Sequence, residues 1–260
     1  MDMGLAGRTA LITGGSKGIG LAIAEMLALE GCHLHLVARR QADLEAARDK
    51  LRSVGKGEVH IHPTDLAERG RVGQLAAQVP QIDILVNNAG SIPRGTLEEI
   101  DEDRWRQAWD LKVFGYINMS REYYRSMKAR RSGVIINILG NGGEALDAGY
   151  IAGGAGNAAL MAFTRALGGQ SARDGIRVIG VNPGPVATER LVGLMQKEAG
   201  TRFGDPSRWR ELEKGFPFGR AATVEEIAST VVLLASDRSS YTTGTVFTID
   251  GGMVNRGSLI

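Results

Sequence analysis

Between Thr9 and Glu30 a short apolar run feeds straight into glycines and then into a helical pattern. The run is Thr9–Thr13 (TALIT), and it opens onto Gly14-Gly15-Ser16-Lys17-Gly18-Ile19-Gly20. Apolar residues then recur at Ile19, Ala22, Ile23, Met26 and Leu27, the spacing of one face of a helix. Glycines at 14, 18 and 20 let the backbone turn sharply and come close to a ligand. The helix after them presents unpaired N–H groups and the positive end of its dipole to whatever sits there, which suits a pyrophosphate. A glycine pattern alone says little, but between a first strand and a first helix it predicts a dinucleotide site.

The rest of the chain repeats the strand-then-helix alternation. Strands are expected at His33–Ala38, Val59–His62, Ile82–Val86, Val134–Ile138, Ile176–Val181 and Thr245–Ile249. Helices are expected at Gln41–Val54, Ala67–Val79, Asp101–Arg130, Tyr150–Ala172 and Glu225–Ala235. This order predicts an α/β fold: a Rossmann-type, doubly wound parallel sheet in three layers. No repeat or Pro/Ser-rich linker divides residues 1–260, so one domain is expected, with a lid-like insertion at about 189–218. That insertion carries Gly193, Gly200, Gly204, Pro206 and Pro217 and reads as the least regular part of the chain.

Charge narrows the function classes. Lys and Arg number 31 against 29 Asp and Glu, a net charge of +2, so nothing points to nucleic acid. The cluster Lys128, Arg130, Arg131 reads as the solvated end of a helix. One cysteine, Cys32, allows no internal disulfide and suits a cytoplasmic setting. Met1 leads directly toward the first strand with no signal-peptide pattern, and no apolar stretch is long enough to span a membrane. His33, His35, His60 and His62 form two His-x-His pairs, yet no cysteine or carboxylate completes a ligand set, so packed or surface histidines and no metal are expected.

Several segments together resemble the short-chain dehydrogenase/reductase family. Thr13-Gly14…Gly18-Ile19-Gly20 matches its T-G-x-x-x-G-I-G motif, and Asn87-Asn88-Ala89-Gly90 matches its N-N-A-G. Asp65-Leu66 follows the third strand, where the family sets an Asp against the adenine. Asn182-Pro183-Gly184, with Thr188 four residues on, matches the P-G segment near the nicotinamide, and Asp250-Gly251-Gly252 matches the family's ending. The resemblance runs from about Leu5 to Met253. It implies a cofactor site of Gly14, Ser16, Lys17, Gly18, Ile19, Gly20, Asp65, Leu66, Asn88, Ala89, Gly90, Pro183, Gly184 and Thr188, and a carbonyl or alcohol substrate. It also implies a homotetramer, built through the helices at 101–130 and 150–172.

The charge at the second strand's end selects the cofactor. A carboxylate there would accept the ribose hydroxyl of NAD. This chain has Ala38 followed by Arg39 and Arg40, with Lys17 in the glycine loop. Cations suit a 2′-phosphate, so NADP(H) is expected on Arg39 and Lys17.

The positions that carry the family's chemistry are occupied differently. Aligning Asn157-Ala158-Ala159-Leu160 with the family's K-A-A-L puts Asn157 at the Lys position and Gly153 at the Tyr position. Gly140 falls where the family has Ser, and Lys112 where it has Asn. Lys112 and Asn157 thus look like an exchange. Tyr150 stands seven residues before Asn157 and is the candidate phenol if the chain bends at Gly149. Glu144 and Asp147 are further acid/base candidates, and Glu144 a candidate partner for Lys112. Two readings stay open: an NADP(H)-dependent oxidoreductase with an atypical site using Lys112, Asn157 and Tyr150, or a catalytically inactive NADP(H)-binding sensor or assembly protein. Leu191, Leu194, Met195, Phe203, Trp209 and Phe216 in the insertion suggest an apolar small-molecule substrate.

Overall fold

The computed structural model describes residues 2–256. Seven strands form one parallel sheet: β1 (Thr9–Thr13), β2 (His33–Ala38), β3 (Val59–Pro63), β4 (Ile84–Asn87), β5 (Gly133–Ile138), β6 (Ile176–Pro183) and β7 (Val246–Ile249), in the order β3-β2-β1-β4-β5-β6-β7. The chain winds outward from β1 through β3, then returns to lay β4 on the other side of β1. The crevice beyond the carboxyl ends of β1 and β4 is where such sheets bind ligands.

Alternate residues of each strand feed opposite faces, and both faces are covered. Ala10, Ile12, Leu34, Leu36, Ile84, Val86, Ile136 and Ile179 pack beneath α1 (Gly18–Leu29), α2 (Gln41–Val54) and α8 (Val224–Ala235). Leu11, Val37, Leu85, Ile135 and Val178 pack against α3 (Arg71–Gln78), and against α5 (Gly115–Arg130) and α6 (Ile151–Ser171). The three-layer sandwich follows from this double burial.

Three local expectations differ from the structure. The helix expected from Ala67 starts only at Arg71, because Gly70 takes a left-handed conformation, φ 83°, immediately before it. The long helix over 101–130 is interrupted: α4 (Glu102–Trp109) passes through a π-helical turn, Asp110–Phe114, into α5. The region expected to be least regular is largely helical. Thr188 caps α7 (Glu189–Phe203) by accepting from the Leu191 N–H, and its two internal glycines do not break it. Gly204, φ 71°, ends α7, and tight turns come after it at Pro206–Gly215 and Pro217–Gly219.

The histidines pack on one another. His35 stacks on His60 and His62 with ring centroids 4.9 and 5.1 Å apart, and its Nδ1 lies 2.8 Å from His62 Nε2. Burial pushes the His35 imidazole down to about 4, which keeps this ring neutral at physiological pH. No helix among the described residues is long and apolar enough to cross a membrane.

Candidate active site

The glycine loop is built to admit a ligand's backbone rather than a side chain. Gly14 sits at φ 65°, a conformation glycine adopts without penalty. A Cβ on Gly20 would overlap the Gly14 carbonyl oxygen, so only glycine lets α1 begin this close to the turn. Thr13 and Asn88 lock the loop to β4. Thr13 Oγ1 accepts from the N–H groups of Asn88 and Ala89 at 2.9 and 3.0 Å, and Asn88 Nδ2 donates to the carbonyls of Thr13 and Gly14 at 3.0 and 3.2 Å. Thr188 closes the loop from the far side, its methyl 3.2 Å from where a Cβ on Gly18 would stand.

The cations beside this loop are divided. Lys17 Nζ lies 3.4 Å from Asp43, which also holds Arg40 at 2.6 Å. Lys17 is therefore partly neutralised, contrary to the free cation its position in the loop suggests. Arg39 lines a separate cleft of about 500 Å³ with Ile61, His62, Thr64 and Asp65. Asp65 itself folds back, accepting from the Ala67 N–H at 3.0 Å, while Leu66 is buried against the core.

Beyond β5 the second half of the site converges on a lysine. The extra residue of the π turn rotates the downstream helix by about 100° relative to an unbroken α-helix, and Lys112 lies inside that turn. Its side chain is buried, 9% exposed, and runs along Gly90, where a Cβ would press into its stem. The ammonium ends at the carboxyl end of β5, donating to the carbonyls of Ile138 at 3.0 Å and Leu139 at 2.9 Å. Tyr116, one turn on, donates to the same Ile138 carbonyl at 2.8 Å. Burial, with Arg190 adding like-charge repulsion, brings Lys112 down to about 7.

The neighbouring α6 is held in register by a buried amide relay. Asn87 Nδ2 donates to Asn137 Oδ1, Asn137 Nδ2 to Thr164 Oγ1, each at 2.9 Å, and Thr164 to the Leu160 carbonyl at 2.7 Å. One face of α6 then presents Gly153 and Asn157 beside Gly140. Asn157 is 2% exposed and its Oδ1 has no hydrogen-bond partner. Its Nδ2 lies 3.0 Å from where a Gly140 Cβ would stand. A buried carbonyl oxygen left without a donor is costly, and a ligand hydroxyl would relieve it.

Tyr150 caps the start of α6, and its ring occupies the space that a side chain at 153 would fill: a Cβ on Gly153 would lie inside the ring. The other side of the ring rests 3.2 Å from where a Gly142 Cβ would stand. Burial raises its phenol, opposed by the positive charges of Arg190 and Arg94. From one turn earlier, the Tyr150 ring therefore occupies the space that a side chain at 153 would fill.

Glu144 and Asp147 do not join this group. Glu144 accepts from Thr248 Oγ1 at 3.0 Å and faces Arg165, and Asp147 pairs with Arg94 at 2.7 Å. In place of the expected Glu144, the partners of Lys112 are the backbone carbonyls of Ile138 and Leu139 at the end of β5. Among the described residues no group of three side chains is arranged to hold a metal. Pro183 closes β6, and Gly184 packs against Asp250, whose carboxylate is taken up by the N–H groups of Gly252, Met253 and Val254.

The family model of the short chain dehydrogenases matches residues 8–199. The 3-oxoacyl-[acyl-carrier-protein] reductase of Escherichia coli K12 is 34% identical over 258 residues, covering 96% of this chain and 99% of that protein. This chain belongs to the short-chain dehydrogenase family. Galactitol 2-dehydrogenase (L-tagatose-forming) of Cereibacter sphaeroides is 33% identical over 250 residues, covering 95% of each chain. L-sorbose reductase of Gluconobacter frateurii, solved with NADPH and L-sorbose, superposes with a TM-score of 0.91 at 33% identity, covering 99% of this chain and 100% of that one. Like its relatives, this short-chain dehydrogenase is an oxidoreductase by family.

Sequence reasoning passes over two groups of this site. Tyr116 stands four residues after Lys112, a spacing that could have paired them. Arg190 comes two residues after Thr188 but gives no sign of its target until α7 is placed over the cleft.

Proposed function

We propose that this chain is an NADP(H)-dependent oxidoreductase interconverting a carbonyl and an alcohol, with an atypical site in which Lys112 exchanges the proton at the substrate oxygen. Gly140, Gly153 and Asn157 stand where the family carries its Ser, Tyr and Lys, and Lys112 where it carries Asn. The observation that carries the reading is the hydrogen-bond count at Lys112. An ammonium has three N–H donors, and two are spent on the carbonyls of Ile138 and Leu139. Releasing the third proton leaves a neutral amine that still satisfies both carbonyls. Proton exchange at this atom thus needs no rearrangement, and a group poised near 7 is matched to general acid–base work at neutral pH.

The residues present fit the cofactor. Gly14, Gly18 and Gly20 form a cradle that a Cβ would fill, with Ser16, Lys17 and Ile19 at the mouth of α1 and Thr188 above it. Arg39 is the cation available for a 2′-phosphate, with Ala38 in place of a competing carboxylate. Asn88, Ala89 and Gly90 would border the nucleoside. The unpartnered Oδ1 of Asn157 suits a ribose hydroxyl, a duty the family gives to a Lys at this position. When bound, the nicotinamide supplies the hydride. The protein's part is to seat the carbonyl between Lys112 and Tyr150 and to hold the proton at Nζ. The helices α4 to α6 are also proposed to join copies of the chain. Phe114 on their outer surface is 50% exposed, and a light-scattering mass of 27.7 kDa would refute this.

Gly140 and Gly153, which offer no functional group, favour the second reading, an NADP(H)-binding protein without turnover. Lys112→Met separates the two. It keeps the stem and removes the proton carrier, and single-turnover NADPH oxidation with a panel of ketones and aldehydes should fall by about 10²-fold or more. A wild type that oxidises no NADPH, or a variant with unchanged rate, would reject Lys112 as the acid.

A further inference from the structure

Arg190 is an exposed arginine at this cleft that no carboxylate among the described residues neutralises. It lies in the first turn of α7, two residues past the threonine that covers the glycine loop, and it reaches across to the opposite wall, where Nη2 donates to the Ile92 carbonyl at 2.8 Å. That single bond to a neutral acceptor uses one of its five donors. Among the described residues no carboxylate comes within 4.0 Å of it. Its neighbour Glu189 projects from a different face of the helix, as adjacent helical residues do.

The other carboxylates around the cleft are committed elsewhere. Asp147 is held by Arg94, Glu144 by Thr248 and Arg165, and Asp250 by three backbone N–H groups. Arg94, whose guanidinium stands 5.7 Å from the Tyr150 ring centroid, is thereby cancelled by Asp147. Arg190 and Lys112 remain as two cations sharing one cleft. An arginine at a helix N-terminus is also repelled by the helix dipole. An exposed fork with one donor on the Ile92 carbonyl and the rest open to solvent, beside Lys112 and at the positive end of a helix, fits a ligand that brings its own anion.

We propose that Arg190 anchors a carboxylate of the substrate, so that the compounds this site takes are oxo acids and hydroxy acids rather than neutral sugars or apolar ketones. This rests on the reading of the cleft as a carbonyl-reducing site and names its substrate class. It departs from the apolar substrate that the composition of residues 189–218 suggests. Several of those apolar groups are occupied: Met195 is buried, Phe203 lies under Arg208 at 4.6 Å, and Trp209 under Arg210 at 4.6 Å. A bound carboxylate would also cancel the positive charge that opposes protonation of Lys112, favouring the ammonium when a carbonyl waits for its proton.

The test uses pyruvate, acetoacetate and levulinate against their methyl esters, which keep the ketone and lose the charge. NADPH oxidation should favour at least one acid over its ester by roughly 30- to 100-fold in kcat/KM, the range of a charge-assisted hydrogen bond. In Arg190→Gln, which keeps a donor for the Ile92 carbonyl, that ratio should collapse toward one through a rise in the acid's KM, and Arg190→Lys should restore part of it. Equal use of acids and esters by the wild type overturns the proposal. So does an Arg190→Gln variant whose ratio is unchanged, or whose only change is weaker NADPH binding. Should no compound consume NADPH, the oxidoreductase reading fails on its own, and binding is followed by intrinsic tryptophan fluorescence, since Trp109 bonds the α6 backbone in the cleft wall. A saturable response to the acids alone, lost in Arg190→Gln, still supports the carboxylate anchor, and no acid-specific response overturns it.

Discussion

Replacing Lys112 by Met should make the protein more stable relative to the wild type as pH falls from about 9 to about 7. The buried ammonium titrates near 7 in the folded protein, against 10.5 for an ordinary lysine. Above 10.5 the residue is neutral in both states and its burial carries no charge penalty. Between 10.5 and 7 the unfolded chain binds a proton that the folded chain refuses, so wild-type stability rises with pH across this window. Below 7 both states are protonated and the penalty is at its full value, about 5 kcal/mol at about 1.4 kcal/mol per pH unit. Over the two units from about pH 9 to about pH 7 the folded lysine goes from almost unprotonated to half protonated, which leaves about 2 kcal/mol to be lost. Methionine fills the same volume and does not titrate, so the variant lacks this term. Its absolute stability also reflects the Leu139 carbonyl losing its lysine donor and the Ile138 carbonyl keeping only Tyr116, and that contribution is nearly constant with pH. The quantity to measure is therefore the difference between variant and wild type as a function of pH, by urea or thermal unfolding. It should move by about 2 kcal/mol in the variant's favour, or roughly 4–8 °C in Tm for a chain of this length. A difference that stays flat across that window would mean that Lys112 titrates as an exposed lysine, and the proton-exchange role would fall with it.

Gly153→Ala, which in an unobstructed helix would add up to about 1 kcal/mol of stability, should instead push the Tyr150 ring out of its seat. Steady-state kinetics should then show at least a roughly tenfold loss of kcat/KM, and an unchanged value would place Tyr150 outside the substrate's reach. Arg39→Asp should weaken NADPH binding by roughly 10- to 100-fold, as expected for a lost charge-assisted contact to the 2′-phosphate, while leaving NADH binding in place. Calorimetry that finds equal affinities for NADPH and NADH in the wild type would remove the basis for the cofactor choice.

The sheet and the nucleotide end of the cleft are legible in the sequence because their signals are local. A strand declares itself within five residues, as Thr9–Thr13 does. Gly14 and Gly20 are demanded by a turn and a close approach inside one loop. The extent of α7 is less legible, since the caps Thr188 and Gly204 outweigh the glycines between them. At the other end of the cleft the alignment proposed for residues 112, 140, 153 and 157 does not say which groups would carry the chemistry. Lys112 turns inward because one inserted residue re-aims the helix, and its partners are the carbonyls of Ile138 and Leu139, which no residue name announces. The Tyr150 ring fills the space beside Gly153, three positions away, and Arg190 reaches the Ile92 carbonyl only once α7 is placed. The sequence determined the fold and the cradle, whose physics is short-range backbone geometry. The tertiary structure alone decided which charges are buried, paired or free, because those depend on distances between residues far apart in the chain.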